Sequence, residues 1–248
     1  MTLATEPRAP SAVLPVNAPA PEIIYPSSDG EPLAETQQHV LAILTTLALL
    51  RLYLQDRPAV VFADQFFYYV KDKPRARVAP DVMVIFDIPK RLYANYKLWE
   101  GKQTPAIIFE VTSAGTKEVD WGFKKALYEQ LGVLEYWLFD PYGDWISGQL
   151  QGYRLNPSGV YEPIADHQSQ VLGLQLRPEE YLMGFYRLDT GEKLLTPEEL
   201  YEAAQTANQR AELSEQLAQQ AQRRAELSEE RAERLAAKLR ELGAEIED

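Results

Sequence analysis

The chain has 248 residues, 46% of them apolar, with no cysteine and a formal net charge of −12. This length and composition predict one substantial domain with appendages. The missing cysteines exclude disulfides, cysteine nucleophiles and thiolate zinc sites, and they fit a cytoplasmic protein. The negative charge argues against loose electrostatic adhesion to nucleic acid or anionic membranes. No apolar run reaches about 18 residues and no secretory signal is present, so we expect no membrane span.

The first part of the chain predicts a disordered leader and then a helix. Residues 1–30 are rich in Pro, Ala and Ser and carry no apolar period. Residues 32–55 predict a helix whose core face is apolar at helical spacing. That face consists of Val40, Ile43, Leu44, Leu47, Leu50 and Leu54. Glu35 is either a supporting residue near a metal site or a helix-start carboxylate, and His39 is interpreted as structural or solvated.

Two strands and a basic segment come next. The runs Val60–Phe62 and Phe66–Val70 have strand composition, and they predict a hairpin around residues 63–65. The basic residues that follow are Lys71, Lys73, Arg75 and Arg77. They are either a nucleic-acid-binding patch or a solvated hairpin, and we weigh the two interpretations equally.

The stretch from Pro80 to Tyr128 carries the candidate chemistry. Asp81 begins one apolar strand, and Glu110 interrupts another, Ile-Ile-Phe-Glu-Val. A glutamate inside such a run is costly unless it is paired or bound to metal. Asp120, Lys124 and Tyr128 follow at four-residue intervals, which places them on one face of a predicted helix.

These residues allow two interpretations. In the first, Asp81, Glu110 and the backbone carbonyl of Val111 hold Mg²⁺ or Mn²⁺, and Lys124 activates water for phosphodiester hydrolysis. Asp120 and Tyr128 then support that lysine. In the second, Asp81 ends a strand, Glu110 pairs with Lys124, and no metal binds. The residues alone leave these two interpretations about even.

The rest of the chain predicts further strands and a helical tail. Gly132 ends the preceding helix, and Leu134–Asp140 is a strand. Shorter strands are expected around residues 145–155, 160–164, 171–176 and 185–188. From Thr196 the sequence predicts a long helix, and small or apolar residues step by three and four along residues 204–246. This pattern is typical of a coiled coil, which favours a homodimer or higher oligomer. The alternative is a single solvated helix.

The order of elements is α-β-β-β-α-β, and the motifs resemble a known family. The motifs are Val78–Val82, Phe109–Ser113, Asp120 with Lys124 and Tyr128, and Leu131–Pro141. Together they resemble the bacterial "putative restriction endonuclease" family, which has the PD-(D/E)XK nuclease fold, over roughly residues 32–200. The resemblance implies an α+β, restriction-endonuclease-like core with a mixed sheet.

The resemblance also implies roles for individual residues. It assigns Asp81 and Glu110 as metal ligands and Lys124 as the catalytic lysine. The superfamily's lysine two residues after the second acid is absent, because Thr112 stands there. Lys125 is the second choice for that lysine, since it points about 100° away from Lys124 on a helix.

The sequence therefore predicts a leader (1–30), a nuclease-like domain (31–195) and a coiled-coil tail (196–248). We expect a Mg²⁺- or Mn²⁺-dependent DNA endonuclease. The alternative is a nuclease-fold binding or assembly protein with weak or lost catalysis, which oligomerises through its coiled coil. A phosphatase or other phosphoester hydrolase is a third class.

Overall fold

A computed structural model describes residues 23–28, 35–112 and 115–241. Most of the predicted leader, the expected helix start at Pro32 and the last seven residues of the tail lie outside these ranges. Residues 23–28 contact the domain, although the predicted leader includes them. The Tyr25 ring packs 5.2 Å from the rings of Tyr68 and Trp99, and Asn95 donates a hydrogen bond to the Tyr25 carbonyl.

The helices and strands have the following bounds. The helices are α1 (Gln37–Tyr53), α2 (Leu98–Gly101), a π-helix (Val119–Lys124), α3 (Lys125–Leu131) and α4 (Pro197–Glu241). The first strands are β1 (Ala59–Ala63), β2 (Phe67–Tyr68), β3 (Arg77–Val78), β4 (Val82–Phe86), β5 (Tyr96–Lys97) and β6 (Ile107–Val111). The later strands are β7 (Glu135–Phe139), β8 (Leu150–Leu155), β9 (Tyr161–Ile164), β10 (Gln168–Ser169), β11 (Leu174–Glu179) and β12 (Leu182–Arg187).

The main sheet has the strand order β1-β4-β6-β7-β8-β9. Only its β6–β7 pair is parallel, and the other pairs are antiparallel. With α1 before β1 and α3 between β6 and β7, the described chain contains the predicted α-β-β-β-α-β order. The α+β class with a mixed sheet is confirmed.

The predicted hairpin between the first two strand runs is wrong. β1 pairs along its whole length with β4, from Ala59 opposite Phe86 to Ala63 opposite Val82. β2 joins β3 and β5 in a separate small sheet. Asp64 has a left-handed φ of 49° and turns the chain away from the main sheet after β1. The apolar β4 is then the partner that buries β1.

The expected core face of α1 is confirmed in part. Leu50 and Leu54 are buried, whereas Val40 and Leu44 are 42% and 54% exposed, and Ala42 and Leu49 are buried in their place. Because α1 is apolar around most of its circumference, periodicity does not select one face. The helix is capped by Thr36, whose hydroxyl accepts a hydrogen bond from the backbone N–H of His39.

The core lies on both faces of the main sheet because successive strand residues point to opposite sides. Val82 and Val84 pack on the side of α1, β11 and β12. Met83, Ile85 and Ile108 pack on the other side with Tyr128 of α3. Glu110 has the same parity as Ile108, which places it on the α3 side.

The described part of the tail is a single long helix. α4 begins with a capping box: the backbone N–H of Glu199 donates to the Thr196 hydroxyl, and Glu199 accepts from the Thr196 backbone N–H. None of the 45 residues of α4 is buried in the single chain. Within the described ranges, no helix combines the length and apolarity needed to cross a membrane.

Candidate active site

Asp81 and Glu110 lie side by side on neighbouring strands. Val82 is opposite Phe109 in the antiparallel β4–β6 pair, so Asp81 falls opposite Glu110. The Asp81 carboxylate accepts a 2.6 Å hydrogen bond from the backbone N–H of Val111. The backbone N–H of Asp81 donates to Glu110 Oε2 at 3.4 Å. Val111 contacts Asp81 through its backbone N–H, and the role of its carbonyl as a metal ligand stays a prediction.

Glu110 is held by two donors from the neighbouring helical segment. Lys124 Nζ lies 2.9 Å from Oε2, and the Tyr128 hydroxyl donates to Oε1 at 2.8 Å. The Glu110 side chain is 1% exposed, whereas that of Asp81 is 18% exposed. Glu110 is thus the buried part of the cluster, and Asp81 forms its edge toward solvent.

Lys124 projects from a π-helix that continues directly into α3. The sequence predicts a helix here, and the six residues Val119–Lys124 form its wider π-helical start. Lys124 Nζ also lies 2.9 Å from Asp120 Oδ1, although the geometry leaves that oxygen without a hydrogen bond. The Tyr136 hydroxyl donates to the Asp120 carbonyl at 2.9 Å. π-Helical turns are rare and occur often at functional sites.

The cluster brings three carboxyl groups and one ammonium together. Burial raises the pKa of Glu110 to about 8, against the opposing effect of Lys124. Burial likewise raises the pKa of Asp81 to about 7. Burial disfavours the Lys124 ammonium, but Glu110 and Asp120 outweigh it and raise the lysine pKa. One ammonium thus lies among three carboxyl groups, and burial favours the protonated form of two of them. A divalent cation that displaced those protons would offset the cost of burying the carboxylates.

His39 lies at this site, and the sequence interpretation missed it. Its Nε2 is 3.9 Å from Asp81 Oδ2, and its Nδ1 is 3.7 Å from Glu35 Oε2. The structure thus brings Glu35 to the edge of the cluster through His39. The available signal was the four-residue spacing of Glu35 and His39 at the start of an apolar helix. No such signal links His39 to Asp81, because these two residues are far apart in sequence.

The other basic residues predicted from the sequence as candidates lie away from the acid cluster. Lys125 Nζ sits 4.0 Å from the centre of the Tyr153 ring, so it points away from Glu110 as expected. Lys71, Lys73 and Arg75 are exposed between β2 and β3. Arg77 stacks 4.1 Å above the Phe66 ring and donates to the Tyr68 hydroxyl. These four basic residues thus lie on the β2–β3 hairpin, and both interpretations of them, a nucleic-acid-binding patch and a solvated hairpin, stay predictions.

The donor set fits a hard cation that is held by few protein ligands. In the part of the chain that the structure describes, no three His, Cys, Asp or Glu side chains group to hold a metal ion. Mg²⁺ is commonly held by one or two carboxylates and several waters. Asp81 and Glu110 offer such carboxylates, and burial raises the pKa of both, so a bound cation would offset the cost of burying their charged forms. The residues present are therefore compatible with Mg²⁺ or Mn²⁺.

Comparison with known proteins gives a family match and several similar solved structures. The model of the Uma2 family, described as "Putative restriction endonuclease", matches residues 13–186. One of the solved structures is "a putative nuclease belonging to DUF820" from Anabaena variabilis, with 15% identity and a TM-score of 0.41. That match covers 58% of this chain and 77% of the other. None of the curated proteins compared with this chain matches it.

Proposed function

Because the chain belongs to the Uma2 family of restriction-endonuclease-like proteins, we propose that it is a nuclease that hydrolyses DNA phosphodiester bonds with Mg²⁺ or Mn²⁺. The observation that carries this proposal is the contact of Asp81, Glu110 and Lys124 in one cluster. Glu110 accepts from Lys124 at 2.9 Å and lies against the Asp81 backbone. Two strand carboxylates and one lysine suit metal-assisted hydrolysis.

Each residue has a distinct role in the proposed reaction. Asp81 and Glu110 hold the cation, with backbone and solvent oxygens completing its coordination. The bound cation supplies Lewis acidity and lowers the pKa of the attacking water. Lys124 orients that water and offsets the phosphate charge. Tyr128 fixes the Glu110 carboxylate through its hydroxyl, and Asp120 holds the lysine by charge.

The lysine reaches the site from the helix and not from the strand. Thr112 occupies the position two residues after Glu110, where the superfamily pattern has a lysine. Lys124 Nζ nevertheless lies within hydrogen-bond distance of Glu110 Oε2. The π-helix and α3 can therefore supply the ammonium that strand β6 lacks.

The test is cleavage of supercoiled and linear DNA by the full chain in Mg²⁺ or Mn²⁺. We expect Asp81→Ala, Glu110→Ala and Lys124→Ala each to lower the rate by at least about 100-fold. The matched control is Lys125→Ala, because this neighbouring lysine packs over Tyr153. It should cleave at the wild-type rate. Equal loss in Lys124→Ala and Lys125→Ala would refute the assignment of Lys124.

A Mn²⁺ titration separates binding of the cation from catalysis. The wild type should bind Mn²⁺, and Glu110→Ala should lose that binding while its circular dichroism spectrum stays unchanged. Cleavage that persists in Glu110→Ala would overturn the metal-ligand assignment.

The tail favours a second candidate function, assembly. α4 exposes its entire length in the single chain, and its small and apolar residues recur at three- and four-residue steps. Such a helix is stabilised by pairing with another copy. If the protein forms oligomers but neither binds Mn²⁺ nor cleaves DNA, the assembly function replaces the nuclease proposal.

A further inference from the structure

A cavity of about 500 Å³ lies beside the acid cluster. It is formed between the start of α1 and the loop of residues 141–146. Its wall includes Glu35, His39, Thr112, Tyr142, Asp144 and Trp145. Its size falls in the range of pockets that enclose a small molecule or one unit of a polymer.

Among the described residues, two buried polar atoms of side chains that line this cavity make no hydrogen bond. They are His39 Nδ1 and Thr112 Oγ1, and the two residues are only 5% and 4% exposed. A buried polar atom without a partner is costly, and in native proteins it marks a site that a ligand can satisfy. Both residues also border the catalytic cluster, since Thr112 follows Val111 and His39 Nε2 is 3.9 Å from Asp81.

The opposite wall is rigid and aromatic. The buried Asp140 carboxylate accepts hydrogen bonds from the backbone N–H groups of Tyr142, Trp145 and Ile146, which fixes the loop. Tyr142 is 52% exposed, and its hydroxyl reaches Gln38 on α1. Lys117 Nζ lies 3.8 Å from the centre of the Trp145 ring. The wall therefore offers the exposed Tyr142 ring, with a cation over the half-buried Trp145 ring beside it, and this combination suits stacking of one nucleobase.

The charges in the cavity select a base and not a second phosphate. Glu35 and Asp144 place two carboxylates in the wall. Carboxylates repel phosphate, but they accept hydrogen bonds from the amino groups of bases, as they do from cytosine N4 in base recognition. A nucleotide whose phosphate lies at Asp81 and Glu110 could therefore place its base in this cavity.

We propose that this cavity binds one unpaired nucleobase next to the scissile phosphate, so that the substrate is a single-stranded or locally unpaired strand. The inference rests on the proposed nuclease function and names its substrate class. A base that remains stacked in a duplex must leave the helix before it can enter a pocket between α1 and the loop of residues 141–146. The aromatic wall then compensates for the lost stacking.

The test is fluorescence anisotropy of the full chain with a labelled short DNA oligonucleotide, single-stranded or annealed as a blunt duplex. Ca²⁺ replaces Mg²⁺ so that binding is read without cleavage. We expect the single strand to bind about tenfold more tightly than the duplex. Tyr142→Ala should weaken single-strand binding by about the same factor. Thr112→Val, which deletes the hydroxyl at nearly constant volume, should weaken single-strand binding several-fold.

Two control variants separate stacking from other effects. Tyr142→Phe keeps the ring and loses only the contact with Gln38, so it should bind like the wild type. Tyr201→Ala removes a 66% exposed tyrosine from α4 and should also leave binding unchanged. Equal affinity for duplex and single strand, or wild-type binding by Tyr142→Ala, would overturn the inference. Mn²⁺ binding and DNA cleavage are measured separately. A cavity that does not bind a base is therefore distinguishable from a protein that is not a nuclease.

Discussion

At the residue scale, the hydrogen bonds of Glu110 show how the cost of burying a carboxylate is offset. The carboxylate lies in a strand whose five residues are all buried, and burial raises its pKa. Lys124 and Tyr128 each donate to one of its oxygens. Charge-assisted hydrogen bonds of this kind orient a carboxylate as well as stabilising it.

Tyr128→Phe tests that orienting role. It removes the hydroxyl that donates to Glu110 Oε1 and changes little else. Because partners of a metal-binding carboxylate tune affinity, we expect Mn²⁺ to bind about tenfold more weakly. Electron paramagnetic resonance of free Mn²⁺ in a titration measures this change.

The control for Tyr128→Phe is Tyr161→Phe. The Tyr161 hydroxyl is also buried and donates to the Val133 carbonyl, away from the carboxylates. It should lose a similar stability, about 1 kcal/mol, with unchanged Mn²⁺ affinity. If both variants weaken Mn²⁺ binding equally, the effect comes from general destabilisation and the role of Tyr128 is refuted.

At the element scale, a second buried glutamate joins β7 to the neighbouring β-structure. Glu135 Oε1 accepts from the Arg154 guanidinium in β8 at 3.2 Å and from the backbone N–H of Gln170 at 2.8 Å. Its Oε2 accepts from the Trp137 indole. Since Gln170 lies between β10 and β11, this one side chain connects the main sheet to the three-stranded sheet.

Glu135→Ala should be strongly destabilising for this reason. It leaves Arg154 and the backbone donors without their acceptor, and breaking such a buried pair costs about 3–5 kcal/mol. Urea unfolding monitored by tryptophan fluorescence measures the loss. Asp189→Ala removes an exposed partner of Arg187 and should leave the unfolding midpoint unchanged. A loss below about 1 kcal/mol in Glu135→Ala would contradict the proposed connection.

At the scale of the whole molecule, we expect α4 to be separable from the domain. The capping box at Thr196 and Glu199 lies at its first turn, where Lys193 also pairs with Glu199. Truncation after Tyr201 keeps these contacts and removes only exposed helix. We expect the truncated chain to unfold at the same urea concentration as the full chain.

Sedimentation of the two chains tests the role of α4 in self-association. The full chain should form a dimer or larger oligomer, and the truncated chain should be a monomer, because the repeated small and apolar positions lie beyond Tyr201. The same association state for both would show that α4 does not mediate assembly.

Much of the fold and of the site could be predicted because their signals are local. Glu110 is conspicuous inside an apolar strand, and Lys124 and Tyr128 follow Asp120 at helical spacing. The end of α3 at Gly132, with its left-handed φ of 79°, and the start of α4 at Thr196 also follow from local chemistry. The position of His39 beside Asp81 could not be predicted, because it depends on how α1 packs across the sheet.

The sequence by itself determined the types of the elements, their α-β-β-β-α-β order, and which residues carry the candidate chemistry. Backbone preferences, apolar periodicity and charge are properties of neighbouring residues, so they can be read locally. Only the tertiary structure decided that β1 pairs with β4, which face α1 buries, and that His39 and Thr112 border one cavity. Those outcomes depend on contacts between residues distant in sequence, where several apolar surfaces compete for the same partner.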